Sequence, residues 1–432
     1  MVGPSRSGGL SPPNKRSTAR EKTTINCLDQ DILCTVFSLL GIFDLVRCSV
    51  VCRSWYRIID QKMLLQQLWY KHPVNRVSLL DEPAISEKPW RFQLQEFVMG
   101  EHRLSLTQGR VTIDQWKGHS MGFKQCRMKL GTILTGVGDK LMRLWSLKSY
   151  KCLEEYSVPD NVSLVDFDFD ENKIVGLIGT QLCLWRRNGQ RNTFPPHAGT
   201  FPRGLCMRYL DPEALIGCED GSIRVFDMYS RKCSRITRIH PGPVTCISLS
   251  NDQFIFSGSS VGTIKVSHLS SDACVATLRS PDITGIKALC YNPQTELVFA
   301  GSSAGHVLCY DFRNKRKLWE WKVCPSSVYS LGHMQNDEST LVVGGIDGVL
   351  HALDQRTGKV MGSFVMDHTK APVFSGRVER RRGRKLLEDD YSSSIDSIPR
   401  TARLPITCLA VGMSKVVTTH GKDIRVWRFT RQ

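Results

Sequence analysis

The 432-residue chain contains no apolar run approaching the ~20 residues needed to cross a bilayer. Its opening stretch, MVGPSRSGGLSPPNKRSTAR, lacks the apolar core of a secretory signal. A soluble protein of the cytoplasm or nucleus is therefore expected, with no membrane partner. None of the 16 cysteines forms a CxxC pair, which argues against a zinc site. Without a secretory signal the thiols should be reduced. Cys206, Cys246, Cys290, Cys309 and Cys408 fall inside strand-like runs, where cysteine behaves as a small hydrophobe. Acid is the minority charge, 41 Asp and Glu against 58 Lys and Arg, for a net +17. About half of that excess sits in two segments. Residues 1–24 carry five basic residues and one acid, and residues 369–405 carry nine and five. The rest is dispersed, as on a solvated basic surface, so nucleic acid is not the expected partner. No catalytic, metal or cofactor constellation stands out.

What is present is a repeated pattern. Gly136–Leu147, GVGDKLMRLWSL, reads as a tight turn followed by a strand of alternating residues. Related copies are Gly217–Asp227, Gly258–His268, Gly301–Asp311 and Gly344–Asp354, with weaker ones at Gly176–Arg186 and Thr418–Arg428. Anchors at Trp145, Trp185, Phe226, Ser267, Tyr310, Leu353 and Trp427 are spaced by 40, 41, 41, 43, 43 and 74 residues. Repeats of about 40 residues with four short strands predict propeller blades. The last gap is one repeat plus an insertion, so seven blades are expected. Only five residues follow Trp427, so the last blade lacks its outer strand. Arg110–Trp116 alternates and is predicted to supply it, closing the ring without open edges.

Residues 1–24 read as a disordered basic tail. Residues 25–72 read as three short helices. Ile32, Leu33, Val36, Phe37 and Leu40 form one stripe, and Gly41 ends that helix. Asp44 is placed as the N-cap of a second helix carrying Leu45 and Cys48. The third runs through Trp55, Ile58 and Ile59 to Leu64, Leu65 and Leu68. So small a bundle buries little by itself and suits completion by a partner. Residues 73–104 are read as a linker that becomes helical after Pro89, with Trp90, Leu94, Phe97 and Val98 on one face.

The helical segment resembles an F-box. The matching residues are Leu28, Ile32-Leu33, Phe37-Ser38-Leu39-Leu40, Asp44-Leu45 and Ser49-Val50-Val51-Cys52-Arg53-Ser54-Trp55, with Asp29 where the family usually has Pro. The resemblance implies docking to a Skp-type adaptor, and through it to cullin and RING subunits. Leu28, Ile32, Leu33, Phe37, Leu40, Val50 and Trp55 are the candidates for adaptor binding or for the module's own core.

The repeats resemble WD repeats, which join a loop His, a strand Ser/Thr, a turn Asp and a strand Trp in a buried hydrogen-bond chain. His119, Thr135, Asp139 and Trp145 supply the whole set in the first blade, the only copy that does; Asp recurs as Asp220 and Asp347, and candidate loop histidines are His197, His240 and His368. These residues are structural and do not form a catalytic triad. Residues 105–432 are thus expected to be a seven-bladed β-propeller, and the chain mainly β.

Reading the repeats in register places Lys124, Ser163, Arg203, Thr245, Lys287, Tyr329 and Thr407 one position into each innermost strand. Lys124, Arg203, Lys287 and Tyr329 are the substrate-binding candidates, forming an anion or phosphopeptide reader. His368 to Ile406 spans 38 residues where His240 to Val244 spans four, so residues 369–405 are expected to form a disordered loop. Its basic cluster Arg380–Lys385 suits nuclear import, and Ser392–Ser394 with Ser397 suits a phosphorylated arm. The resulting expectation is a non-catalytic substrate receptor of an SCF (cullin-RING) ubiquitin ligase. The alternative is a WD-repeat scaffold outside any ligase.

Overall fold

The computed structural model describes residues 28–67 apart from 41, 50, 62 and 66, then Gly100, and residues 111–429 apart from 138–139, 159–162, 188, 196, 198, 272, 281–282, 335–337, 366–372, 377–397, 400–402 and 413–414. The chain divides into two units, Met1–Pro89 and Trp90–Gln432. No helix among the described residues is long and apolar enough to cross a membrane.

The first unit contains α1 (Gln30–Ser38), α2 (Ile42–Ser49) and α3 (Arg53–Gln61). Helices this short gain most of their stability from the face they bury. Leu33, Phe37, Leu45, Ile58, Ile59 and Leu64 form that core, with Trp55 packed edge-on against Phe37 at 5.1 Å. Asp29 caps α1, its carboxylate accepting from the Gln30 backbone N–H at 2.7 Å. Its backbone (φ −62°, ψ 151°) is the one a proline would take, so the departure from the family's Pro preserves the entry to α1 and adds a cap. Asp44 is not an N-cap: α2 begins two residues earlier, and Asp44 lies in its first turn, where a carboxylate favours the helix dipole.

The second unit contains seven sheets. Each sequence anchor falls in the third strand from the ring's centre. Blade 1 is built from Phe123–Lys129, Thr132–Val137, Leu141–Ser146 and Cys152–Ser157, in that order. Blades 2 to 5 repeat this arrangement, starting from Asp166–Phe169, Gly204–Leu210, Val244–Leu249 and Ile286–Asn292. Blade 6 starts at Val328–His333 and blade 7 at Cys408–Val411. These first strands pack against one another around a closed circle, which makes them the lining of the axis. Blade 7 takes its outer strand from the beginning of the unit. Val111–Lys117 pairs antiparallel with Asp423–Phe429, Ile113 opposite Trp427.

Apolar side chains from facing blades fill the spaces between sheets. Phe364, Trp427 and Phe429 meet between blades 6 and 7, and Phe256 stacks on Tyr291 at 4.4 Å between blades 4 and 5. Every described cysteine is a free thiol; Cys206, Cys246, Cys309 and Cys408 are buried and Cys290 half-buried. At Gly221 the backbone is left-handed (φ +80°), and a Cβ there would collide with the His240 carbonyl. The His240 N–H then closes onto the Gly221 carbonyl at 3.1 Å, and Cys324 and Gly305 make the same closure in blade 5.

The 369–405 insertion is not wholly irregular. Val373–Gly376 adds a fifth strand to the outer edge of blade 6, pairing with Val360–Val365. Further along, Ile398 is buried against Val349 and Val365. Arg380–Lys385, Ser392–Ser394, Ser397 and His368 lie outside the described residues, as do the 1–24 tail and most of the 73–104 linker.

Candidate functional site

Three regions could carry function: the outer face of the helical module and the two ends of the propeller axis. On α1 the apolar stripe, left open in the sequence between core and adaptor, divides in two. Leu33 and Phe37 are buried, whereas Ile32 and Val36 are 50% and 41% exposed. Adjacent residues on a helix differ by about 100°, so 33 and 37 turn to the core while 32 and 36 turn away. Leu28 (41% exposed) and Leu39 (82%) extend the outward row at both ends. Of the other expected contacts, Leu40 and Trp55 are half-buried against the core, and Val50 lies outside the described residues. The Trp55 indole N–H is buried without a hydrogen-bond partner among the described residues. Val51, a motif position, is also exposed, as are Tyr56 and Met63, to which no motif position pointed.

At the end of the axis where the first strands begin, five blades share an irregularity. A β-bulge inserts one residue at Lys124, Leu205, Thr245, Lys287 and Tyr329. Four expected positions therefore coincide in register. The blade 3 equivalent is Leu205, and Arg203 lies two residues earlier, because the glycine at 204 rather than Pro202 begins the pairing. Arg203 is exposed, with its backbone N–H on Glu219 Oε1 at 3.3 Å. Lys287 and Tyr329 are also exposed, and the Lys124 side chain lies outside the described set. Thr245 turns sideways, bonding the Gly258 carbonyl at 3.1 Å and the Ile286 carbonyl of the next blade. Ser163 and Thr407 precede the first strands of blades 2 and 7.

The opposite end, where first strands turn into second strands, holds a cavity of about 940 Å³ lined by Arg127, Lys129, Asp168, Arg208, Asp211 and Lys415, among others. A charge network runs beneath it across blades 1 to 3. Asp166 accepts from Arg127 at 3.0 Å, from Gln125 at 3.0 Å and from the Met207 backbone N–H at 2.9 Å. Asp168 meets Lys129 Nζ at 2.7 Å and the Tyr209 N–H at 3.1 Å. Burial alone would raise the Asp168 carboxyl, but Lys129, Arg127 and Arg208 outweigh it and hold it below the usual range. Neither carboxylate was marked by a motif; the signal was two acids at i and i+2 inside an apolar run, which puts both on one face of a strand.

The polar chains inside the blades are structural. In blade 1, Thr135 Oγ accepts from the Trp145 indole at 2.9 Å and lies 2.9 Å from His119 Nε2, all three buried. Asp139 lies outside the described residues. Blade 1 does not stand alone. In blade 7, Trp427 donates to Thr418 at 2.7 Å, Thr418 lies 2.8 Å from His420 Nε2, and His420 Nδ1 faces the Leu404 carbonyl at 3.2 Å. That histidine comes from the strand end beside the hydroxyl, so a search for a loop histidine misses it. Replacing Thr135 by Val removes the shared oxygen and leaves two buried groups unpaired. Equilibrium denaturation should show a loss of about 2–6 kcal/mol, taking 1–3 for each group.

Blade 4 uses His240, whose ring nitrogens lie 2.8 Å from Ser257 and 2.9 Å from Thr263. His197, by contrast, is exposed. Burial, helped by the Lys265 charge, pushes the His240 imidazole down to about 4. The folded state holds this ring neutral while the unfolded chain protonates it near 6.5. Its contribution to stability is thus complete above pH 6.5 and declines as pH falls toward 4. His240→Gln should flatten the stability profile in that window while lowering it at neutral pH, read by urea titration at several pH values.

Residues 25–67 match the F-box domain family. An F-box/WD-40 repeat-containing protein of Arabidopsis thaliana is 48% identical over 439 aligned positions, covering 94% of this chain and 95% of the relative. Mitochondrial division protein 1 of Sclerotinia sclerotiorum is 26% identical over 116 residues, 27% of this chain and 15% of its own.

Proposed function

Because the chain belongs to the F-box/WD-40 repeat proteins, we propose that it is the substrate-recognition subunit of an SCF-type cullin-RING ubiquitin ligase. An F-box joined to a WD propeller supports a substrate-adaptor role. In this reading the helical module docks a Skp-type adaptor, which brings cullin and RING subunits. The propeller holds a protein substrate. The chain performs no chemistry itself. It raises the local concentration of a substrate lysine beside a charged conjugating enzyme, so the rate gain is one of proximity.

The observation that carries this reading is the outward apolar row Leu28, Ile32, Val36 and Leu39 on a folded module whose other face is already filled by Leu33 and Phe37. Half-exposed aliphatic residues on a nine-residue helix suit a groove of a partner. Leu28 and Ile32 would contact the adaptor directly, and Leu33 and Phe37 would hold the shape they present. Leu40 and Trp55 would border that surface. At the bulged end of the axis, Lys287 and Tyr329, with Arg203 nearby, offer cations and an aromatic face to the substrate, and a phosphorylated segment suits them best. The full chain co-expressed with adaptor, cullin and RING subunits should co-purify with all three. Failure to capture the adaptor at micromolar concentration rejects the ligase reading and favours a scaffold.

A further inference from the structure

Blade 6 departs from the relay chemistry of blades 1, 4 and 7. Cys324 takes the place His240 holds in blade 4, closing onto Gly305 as His240 closes onto Gly221. The strand hydroxyl is gone: the position of Ser257 and Thr135 is Val343. The turn Asp is kept as Asp347, and His351 stands where blades 1, 3 and 4 carry Arg143, Arg224 and Lys265. Potential donor atoms of Cys324, Asp347 and His351 all lie within 4.8 Å of one another. His351 Nδ1 is 2.8 Å from Ser363 Oγ, which orients the ring. Its other nitrogen, Nε2, is buried without a hydrogen bond among the described residues and lies 3.6 Å from Asp347 Oδ2. Gly345 leaves the space open, since a Cβ there would strike the Cys324 sulfur.

We propose that Cys324, Asp347 and His351 form a binding site for a borderline-soft divalent cation, Zn²⁺ being the best fit. The donor set is sulfur, carboxylate oxygen and imidazole nitrogen, which Zn²⁺ accepts and harder cations such as Mg²⁺ and Ca²⁺ do not. Tetrahedral bonds of about 2.0–2.3 Å place ligand atoms roughly 3.3–3.8 Å apart, so the widest pair needs a contraction of at most about 1–1.5 Å. On binding, the metal replaces the thiol proton, which leaves to solvent. Water completes the fourth position. Ser363 acts as a positioning residue, holding the imidazole so that Nε2 faces the metal. The ion would tie the loop leaving blade 5 to the turn and third strand of blade 6, a junction without the hydroxyl relay.

The site has no sequence signature because its ligands come from two blades, 23 and 4 residues apart. It stands independently of the ligase reading. The test uses the purified full chain with Co²⁺, then Zn²⁺, as probes. One Co²⁺ per chain is expected, with a near-ultraviolet sulfur-to-cobalt band and the visible bands of four-coordination, displaced by Zn²⁺. X-ray absorption of the Zn²⁺ form should show one sulfur and two or three nitrogen or oxygen neighbours. Cys324→Ser should abolish the near-ultraviolet band, and Ser363→Ala should weaken binding about tenfold or more. No uptake at micromolar free metal, or a band that survives Cys324→Ser, overturns the proposal. Should Cys324→Ser fail to fold, a wild-type spectrum with no sulfur or with several sulfurs overturns it equally.

Discussion

An Ile32→Glu chain folds normally and loses its adaptor. Ile32 is 50% exposed, one residue from Leu33, which is 4% exposed. The mutation touches none of the buried contacts among Leu33, Phe37, Ile58 and Ile59, so the melting profile should stay within about 0.5 kcal/mol of wild type. In the complex, however, a carboxylate would be pressed into an apolar groove. Truncation at the centre of an interface costs at least about 2 kcal/mol, and an unpaired charge costs more, so affinity should drop by about 100-fold or more. Phe37→Ala is the informative contrast. It removes a fully buried ring packed on Trp55 and should cost about 3–5 kcal/mol, enough to unfold so small a module. Both variants lose the adaptor, but only Phe37→Ala also loses the helical signal of α1 to α3. Calorimetric titration beside circular dichroism separates the two. Unchanged adaptor affinity in Ile32→Glu removes α1's outer row from the interface.

The second large effect lies in the propeller. Asp166→Ala should destabilise it by about 3–5 kcal/mol, because Arg127 and Arg208 remain in the wall of the axis without their carboxylate and the Met207 N–H loses its acceptor. The neighbouring Asp168 gives the same network a pH signature. Its carboxyl is held below the usual range when folded, so the unfolded chain binds the proton first as pH falls. The stabilisation is therefore complete above the ordinary carboxylate range and is lost as acid carries the pH through the folded value. Asp168→Asn should remove that acid-side slope, while Asp166→Ala should show its deficit already at neutral pH. Denaturant midpoints at pH 7 and in mild acid distinguish them. A neutral-pH loss below about 1 kcal/mol for Asp166→Ala would mean water satisfies the arginines.

The architecture was legible because blades are forced to repeat. Each needs a tight turn and an alternating third strand, so Trp145, Trp185 and Trp427 recur at readable intervals even where Phe226 or Leu353 replaces the indole. Ring closure followed from counting, since five residues after Trp427 cannot make a strand and a connection. Finer features were illegible for identifiable reasons. On a nine-residue helix, hydrophobicity at 32, 33, 36 and 37 is the same whether the side chain meets the core or a partner; burial separates them, composition does not. A bulge carries no residue signature, so the blade 3 register was read from Pro202 when the pairing starts at Gly204. Blade 7's relay was hidden because His420 reaches Thr418 from two residues away instead of from a preceding loop. The strand Val373–Gly376 was masked by the charged stretch that follows it.

The pairing of Val111–Lys117 with Asp423–Phe429 also sets an order in time. Synthesis runs from the amino end, so the closing strand waits, unpaired, while every other blade is made. Blades 1 to 6 can assemble as they emerge, each against the one before, but the circle cannot be completed until Asp423–Phe429 has emerged as well. A nascent propeller therefore spends its whole synthesis as an open arc, with the Phe123 and Val416 surfaces of its two ends still wet. A premature stop near residue 420 would spare nearly all of the sequence and all of the helical module, yet leave a product that can never become a ring.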